Sequence, residues 1–174
     1  MKGIILYKTQ YGSTEQYAQW LSEDTGLQAL PLEEANIENT KGCDFIIIGS
    51  HIKIGHIKAA DWIKTHWNWL KDKKLLLYSV SGSYADRKQQ REILEMSLPE
   101  DILADFEYYP LPGKLDKSKL NFLDRIIVFL GSKAVPDEEA KDRMAHGFDY
   151  VDHHHLDQLK KVVKRLMKKG AKVK

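Results

Sequence analysis

Lys2-Gly-Ile-Ile-Leu-Tyr-Lys8 runs straight into Thr9-Gln-Tyr-Gly-Ser-Thr14, and an amphipathic pattern follows at once. The apolar run Ile4 to Tyr7 reads as a strand. The segment Glu15 to Thr25 reads as a helix, with Tyr17, Ala18 and Leu21 on one face and Gly26 as its stop. The loop between them carries three hydroxyls (Thr9, Ser13, Thr14) and one glycine (Gly12). Amide N–H groups at a helix start lack an intrahelical partner, and the helix dipole favours an anion there. Hydroxyl side chains complete such a cage without adding charge. No lysine follows the glycine in Walker fashion and no three-glycine dinucleotide pattern is present, so a monophosphate fits better than a triphosphate or a dinucleotide. A plain capping role for Ser13 or Thr14 explains the same residues.

Working outward, strand-like and helix-like runs alternate. Gln28 to Leu32 is a weak strand, Asp44 to Gly49 and Lys74 to Val80 are apolar on both faces, and Phe106 to Leu111 is a fifth strand. Ala59 to Leu70, Arg87 to Leu98 and Leu156 to Met167 read as helices. Alternation of this kind predicts an α/β domain with a doubly wound, five-stranded parallel sheet in the order 2-1-3-4-5. A single domain over 1–174 is expected, with an insertion at about 112–152 between the fifth strand and the last helix. Within it, Lys119 to Ser132 predicts an apolar helix. Pro136 to Asp152 predicts loop or a short helix.

Composition narrows the function class. A net charge of +2 gives no strong case for nucleic acid. The one cysteine, Cys43, opens an apolar run, which fits a buried small residue in a reducing compartment. No apolar signal region follows Lys2, and no stretch approaches the ~20 apolar residues of a spanning helix. A cytoplasmic protein is expected. The lysine-rich tail from Lys160 complements the dipole of the last helix.

In an open parallel sheet, ligands bind beyond the carboxyl ends of the strands. Three loops fall there. The first is Thr9, Gln10, Tyr11, Gly12, Ser13 and Thr14. The second is Gly49-Ser-His-Ile-Lys-Ile-Gly-His56, from which Ser50, His51, Ile52, Ile54, Gly55 and His56 are candidate ring contacts. The third is Ser79-Val-Ser-Gly-Ser-Tyr84, contributing Ser81, Gly82, Ser83 and Tyr84. A phosphate cage with two ring-holding loops describes a site for flavin mononucleotide (FMN).

These stretches carry a resemblance. The Thr9 to Thr14 loop is similar to the phosphate loop of flavodoxins, and the whole chain resembles the flavodoxin superfamily. Ile48-Gly-Ser-His-Ile-Lys-Ile-Gly-His56, Tyr78-Ser79-Val80 and the Asp124-Arg125 pair inside an apolar insertion resemble the menaquinone-dependent protoporphyrinogen oxidase branch. The resemblance implies a flavodoxin-like fold, bound FMN and one- or two-electron transfer. It places phosphate roles on Thr9, Gln10, Gly12, Ser13 and Thr14, and ring roles on Ser50 to Gly55 and Ser81 to Tyr84. The partners it implies are a redox protein, a quinone or a small-molecule substrate. The chain departs from acidic flavodoxins in its net charge, which disfavours a shuttle that docks on a basic reductase. Its 114–133 segment is basic, with Phe122 and Phe129 as its aromatics.

Three readings of function therefore follow. The first is a flavodoxin-type oxidoreductase of the protoporphyrinogen oxidase kind; the second, an electron carrier without its own substrate; the third, a flavin-free binding module. The 119–132 segment fits packing on its own domain, peripheral contact with a membrane, or a homodimer contact. His153-His-His155 lacks the spacing of a zinc site. Trp62, Trp67 and Trp69 share one helix, where core packing accounts for at least two of them.

Overall fold

The computed structural model describes residues 1–82, 86–134 and 138–171. The chain runs β1 (Gly3–Lys8), α1 (Ser13–Thr25), β2 (Ala29–Pro31), α2 (Ile37–Thr40), β3 (Phe45–Lys53) and β4 (His56–Ile57). It continues through α3 (Ala60–Thr65), α4 (Trp67–Leu70), β5 (Lys74–Ser81), α5 (Arg87–Ser97), α6 (Glu100–Leu103) and β6 (Phe106–Pro112). The last part is β7 (Lys114–Leu115), α7 (Phe122–Ala134), α8 (Glu138–His146), β8 (Phe148–Asp149) and α9 (Asp157–Ala171).

The main sheet has the order β2-β1-β3-β5-β6, all parallel, with β4 hairpinned antiparallel onto the end of β3. Counting only the parallel strands, this is the expected 2-1-3-4-5 order. Register joins the central strands residue by residue, with Ile47 between Ile5 and Leu76 and Ile48 between Leu6 and Leu77. Alternation then sends their side chains to two separate cores. On one face Ile5, Ile47, Leu76 and Tyr78 meet Tyr17 and Leu21 of α1 and Leu159 and Val163 of α9. On the other, Ile4, Leu6, Ile46, Ile48, Leu75 and Leu77 meet Ile63, Leu70, Ile93 and Ile102. Strands apolar on both sides need two covered faces, and they have them.

The structure corrects several expected boundaries. β3 runs on to Lys53, because β4 pairs with its last residues. The helix expected over Ala59 to Leu70 is broken at His66. There Trp69 N–H bonds to the carbonyl three residues back, and the His66 ring stacks on Trp62 with centroids 4.3 Å apart. The three tryptophans are half-buried against the second core. The insertion helix starts at Phe122 rather than Lys119, since Asn121 Oδ1 accepts the Asp124 amide at 2.8 Å. The stretch expected as loop or a short helix contains α8 and β8. β7 and β8 pair antiparallel as the neck of the insertion. The chain leaves the sheet at Pro112 and returns at Asp152, and Tyr17 ties both points. Its hydroxyl donates to the Pro112 carbonyl at 3.0 Å and accepts from the Asp152 amide at 3.4 Å.

Candidate functional site

The start of α1 leaves several polar groups open. Gly12 sits at φ 89°, in the left-handed region, and turns the chain from loop into helix. It has no side chain to cap the helix. The first helical bond, from Gln16 N–H to the Gly12 carbonyl, leaves the Ser13, Thr14 and Glu15 amides without helical acceptors. Thr9 Oγ1 accepts the Gly12 amide at 3.1 Å and so shapes the loop from within. Thr14 Oγ1 is buried without a hydrogen-bond partner among the described residues, and Ser13 is buried beside it. A buried hydroxyl left unpaired costs free energy unless a ligand completes it. Below, the buried Tyr78 hydroxyl donates to the Thr14 carbonyl at 3.0 Å. Gly49 makes that possible: a Cβ there would lie 2.1 Å from the Tyr78 ring. Open amides, a dipole end and two hydroxyls fit a phosphomonoester.

The second predicted loop is a hairpin. Ile52 pairs with Ile57 and Lys53 with His56, so Ile54 and Gly55 form a two-residue turn with φ of 51° and 69°. Positive φ is rare for a β-branched residue, and Ile54 is also exposed. An apolar side chain is thus held out at the strained tip. Ser50 is fully buried and spent locally: it accepts from the Ala59 amide at 2.9 Å and donates to the His51 carbonyl at 3.0 Å. His51 Nδ1 lies 3.1 Å from the Lys8 carbonyl, a contact that takes the Nδ1–H form. Burial lowers the His51 pKa, which favours a neutral ring. His56 is exposed beside the turn.

At the third loop, Ser81 ends β5 and Gly82 follows; Ser83 and Tyr84 lie outside the described residues. A buried polar chain supports this end. Gln90 Nε2 donates to Ser81 Oγ at 3.2 Å, and the Tyr108 hydroxyl meets both Ser79 Oγ and Gln90 Oε1 at 2.5 Å. Burial pushes the Tyr108 hydroxyl up to about 12, so it stays protonated as a donor.

The insertion contributes residues that sequence reasoning did not assign to the site. Asp124 of α7 is 5% exposed. One of its oxygens accepts from the Tyr11 hydroxyl, from Gln10 Nε2 at 2.7 Å and from Asn121 Nδ2 at 3.2 Å. The other is ion-paired with Lys53 Nζ at 2.7 Å. Burial alone would raise the Asp124 pKa, but the Lys53 ammonium and the Tyr11 and Gln10 donors outweigh it and hold the carboxyl below its usual range. Phe148 of β8 packs against Gly82, where a Cβ would come within 2.6 Å of its ring, and stacks on Tyr150. The Asp124-Arg125 pair was visible as a motif; its contact with Gln10 and Tyr11, over a hundred residues away, was not.

The sequence model of the flavodoxin domain family matches residues 4–142. The chain belongs to the flavodoxin domain family. It is 24% identical over 142 residues to protoporphyrinogen IX dehydrogenase [quinone] of Escherichia coli K12, a match covering 75% of this chain and 78% of that one. Among solved structures it is similar to the Trp repressor binding protein of Bacillus subtilis. There the identity is 16%, the TM-score 0.49, and the coverage 83% and 94% of the two chains. It is also similar to oxidised flavodoxin 2 of Bacillus cereus, with 16% identity, a TM-score of 0.43, and 83% and 92% covered. Among the described residues, no helix is long and apolar enough to cross a membrane.

Proposed function

We propose that this flavodoxin-family chain binds FMN and oxidises a porphyrinogen-type substrate, passing the electrons to a quinone at a membrane surface. The observation that carries the reading is the uncapped start of α1, with Thr14 Oγ1 buried and unpartnered beside it. Bound there, FMN would supply reversible one- and two-electron chemistry. The amides of Ser13 and Thr14, with their hydroxyls, would hold its phosphate. Ile54 at the hairpin tip and Gly82 in the third loop would flank its ring, and the neutral His51 would leave that region without added charge. Each two-electron step removes two hydrogens from the porphyrinogen and converts one quinone to its quinol.

Two observations favour this reading over a freely diffusing carrier. The E. coli relative is named for that reaction. The other is α7, which exposes Phe122, Leu123, Ile126, Ile127, Phe129 and Leu130. Large exposed apolar patches mark interaction surfaces. Lys119, Arg125 and Lys133 flank the patch and are exposed, Lys119 beside Asp116, while the one acid within α7, Asp124, is buried and paired. A basic, apolar face suits an anionic lipid surface, where hydrophobic quinones partition. Against a second copy of itself, the same basic rim would meet like charge. A helix of 13 residues spans about 20 Å, which lies on a bilayer rather than through it.

The test is anaerobic turnover. FMN-loaded protein, given protoporphyrinogen and a menaquinone analogue, should form porphyrin and quinol in step, faster with anionic vesicles present. Turnover no higher than the flavin-free control would remove the oxidoreductase reading.

A further inference from the structure

The insertion helix is fastened to the body of the protein through the flavin loops themselves. Six of α7's large apolar side chains face outward, so apolar packing does little to anchor it. Its far end packs on α8, where Gly131 faces Met144, whereas among the described residues its contacts with the strand-end loops are polar and converge on Asp124. Gln10 and Tyr11 belong to the phosphate loop, and Lys53 is the last residue of β3 before the Ile54-Gly55 turn. The Tyr11 hydroxyl also accepts the Asn121 amide, one residue before α7, at 3.4 Å. Lys53 Nζ closes the ring by reaching Gln10 Oε1 at 3.3 Å. Both loops and the helix thus share one buried carboxylate.

From this geometry we infer that Asp124 is a positioning residue that couples FMN occupancy to the placement of α7. The inference rests on the FMN reading above. With Asp124 in place, Gln10, Tyr11 and Lys53 are restrained before any cofactor arrives, so less ordering remains to be done on binding. Conversely, a cofactor that fixes the two loops fixes the donors that hold α7. Coupling of two binding events through one element is reciprocal: the factor by which α7 docking tightens FMN is the factor by which FMN tightens α7 docking. Asp124 carries no apolar surface of its own to the patch. Its removal separates the two events without altering the face that α7 presents.

Two variants test this, each read by FMN titration and by amide hydrogen exchange over residues 122–134. In the wild type, FMN should slow exchange in α7 about tenfold, within the usual span of coupling between sites. In Asp124→Ala, FMN should bind about tenfold more weakly and the FMN-dependent protection of α7 should disappear. Asp124→Asn, which keeps an acceptor but loses the charge, should fall between. Tyr11→Phe removes one donor from a partly exposed position and carries the test if Asp124→Ala fails to fold. A role confined to stability would lower the melting temperature yet leave the FMN-dependent difference in α7 intact. That outcome, or FMN affinities within twofold of wild type, overturns the coupling. A wild type that retains FMN with α7 indifferent to it overturns the coupling alone. A wild type that retains no flavin overturns the functional reading and the coupling with it.

Discussion

The sheet core and the insertion use apolar side chains in opposite ways. In the core, Ile4 to Leu6, Phe45 to Ile48 and Leu75 to Tyr78 are shielded almost completely. In α7, Phe122 is 75% exposed, and Leu123, Phe129 and Leu130 are each more than half exposed. Both segments are equally hydrophobic to the eye. The core strands are apolar because two helical layers cover them. The α7 helix leaves most of its apolar side chains uncovered, and it is tied to the strand-end loops by a carboxylate. Burial of the first kind stabilises the fold; exposure of the second kind does not.

The largest effect that would sharpen this contrast is in the core. Gly49→Ala forces a Cβ into the Tyr78 ring, and overpacking of that kind should cost about 3 kcal/mol in urea unfolding. Leu130→Ser in α7 should cost within about 0.5 kcal/mol, because that side chain is already in water. Equal losses at the two positions would break the comparison.

Next in size is the candidate anion site. Thr14→Ala removes a buried hydroxyl that has no partner among the described residues. Hydrogen bonds to charged groups are worth about 1.5–3 kcal/mol, so FMN should bind roughly ten- to a hundredfold more weakly. Riboflavin, lacking the phosphate, should bind the variant and the wild type alike in a fluorescence titration. An equal loss for both flavins would place Thr14 in packing instead.

The outward face of α7 predicts a smaller, separable effect. Phe122→Ser with Leu130→Ser should lower binding to anionic vesicles about tenfold in a sedimentation assay, from lost apolar burial in the interface. FMN affinity should stay unchanged. Retained vesicle binding would move the contact elsewhere on the chain.

How far could this contrast be read in the sequence? The sheet order and both core faces were legible, because Phe45 to Ile48 and Leu75 to Tyr78 are unbroken apolar runs and short turns separate them from helical patterns. The strand-loop-helix form of the first segment was legible too, with Gly12 turning the chain between hydroxyls, while those hydroxyls fitted a plain helix cap as well as an anion site. What was not legible lies in long-range contact. Nothing local marks Lys53 as a strand end paired with Asp124, or Tyr78 as the support beneath Thr14. Periodicity also cannot say whether an apolar helix is covered, so the 119–132 pattern alone fitted core, interface or membrane. The break at His66 was hidden because neither proline nor glycine occurs there.

The smallest effect concerns pH. Burial lowers the pKa of His51 in the folded protein, so below about pH 6.5 the unfolded chain takes up the proton first. Stability contributed by the neutral ring is complete above that value and declines as pH falls toward the folded pKa. Urea midpoints should therefore drop between pH 7 and 5, and His51→Gln should flatten the drop. Asp124 behaves differently: its depressed pKa keeps the link to Lys53 intact through that window and loses it only as pH falls below the ordinary carboxylate range.

The central claim is that the start of α1 is a phosphate site for a flavin. Titrating the purified protein with FMN and with riboflavin, followed by visible absorption, tests it most directly. The account predicts one-to-one retention of FMN with a shifted flavin band, at least tenfold tighter than riboflavin, consistent with a phosphate held by the Ser13 and Thr14 end of the helix. Equal affinity for the two flavins, or retention of neither, would contradict it.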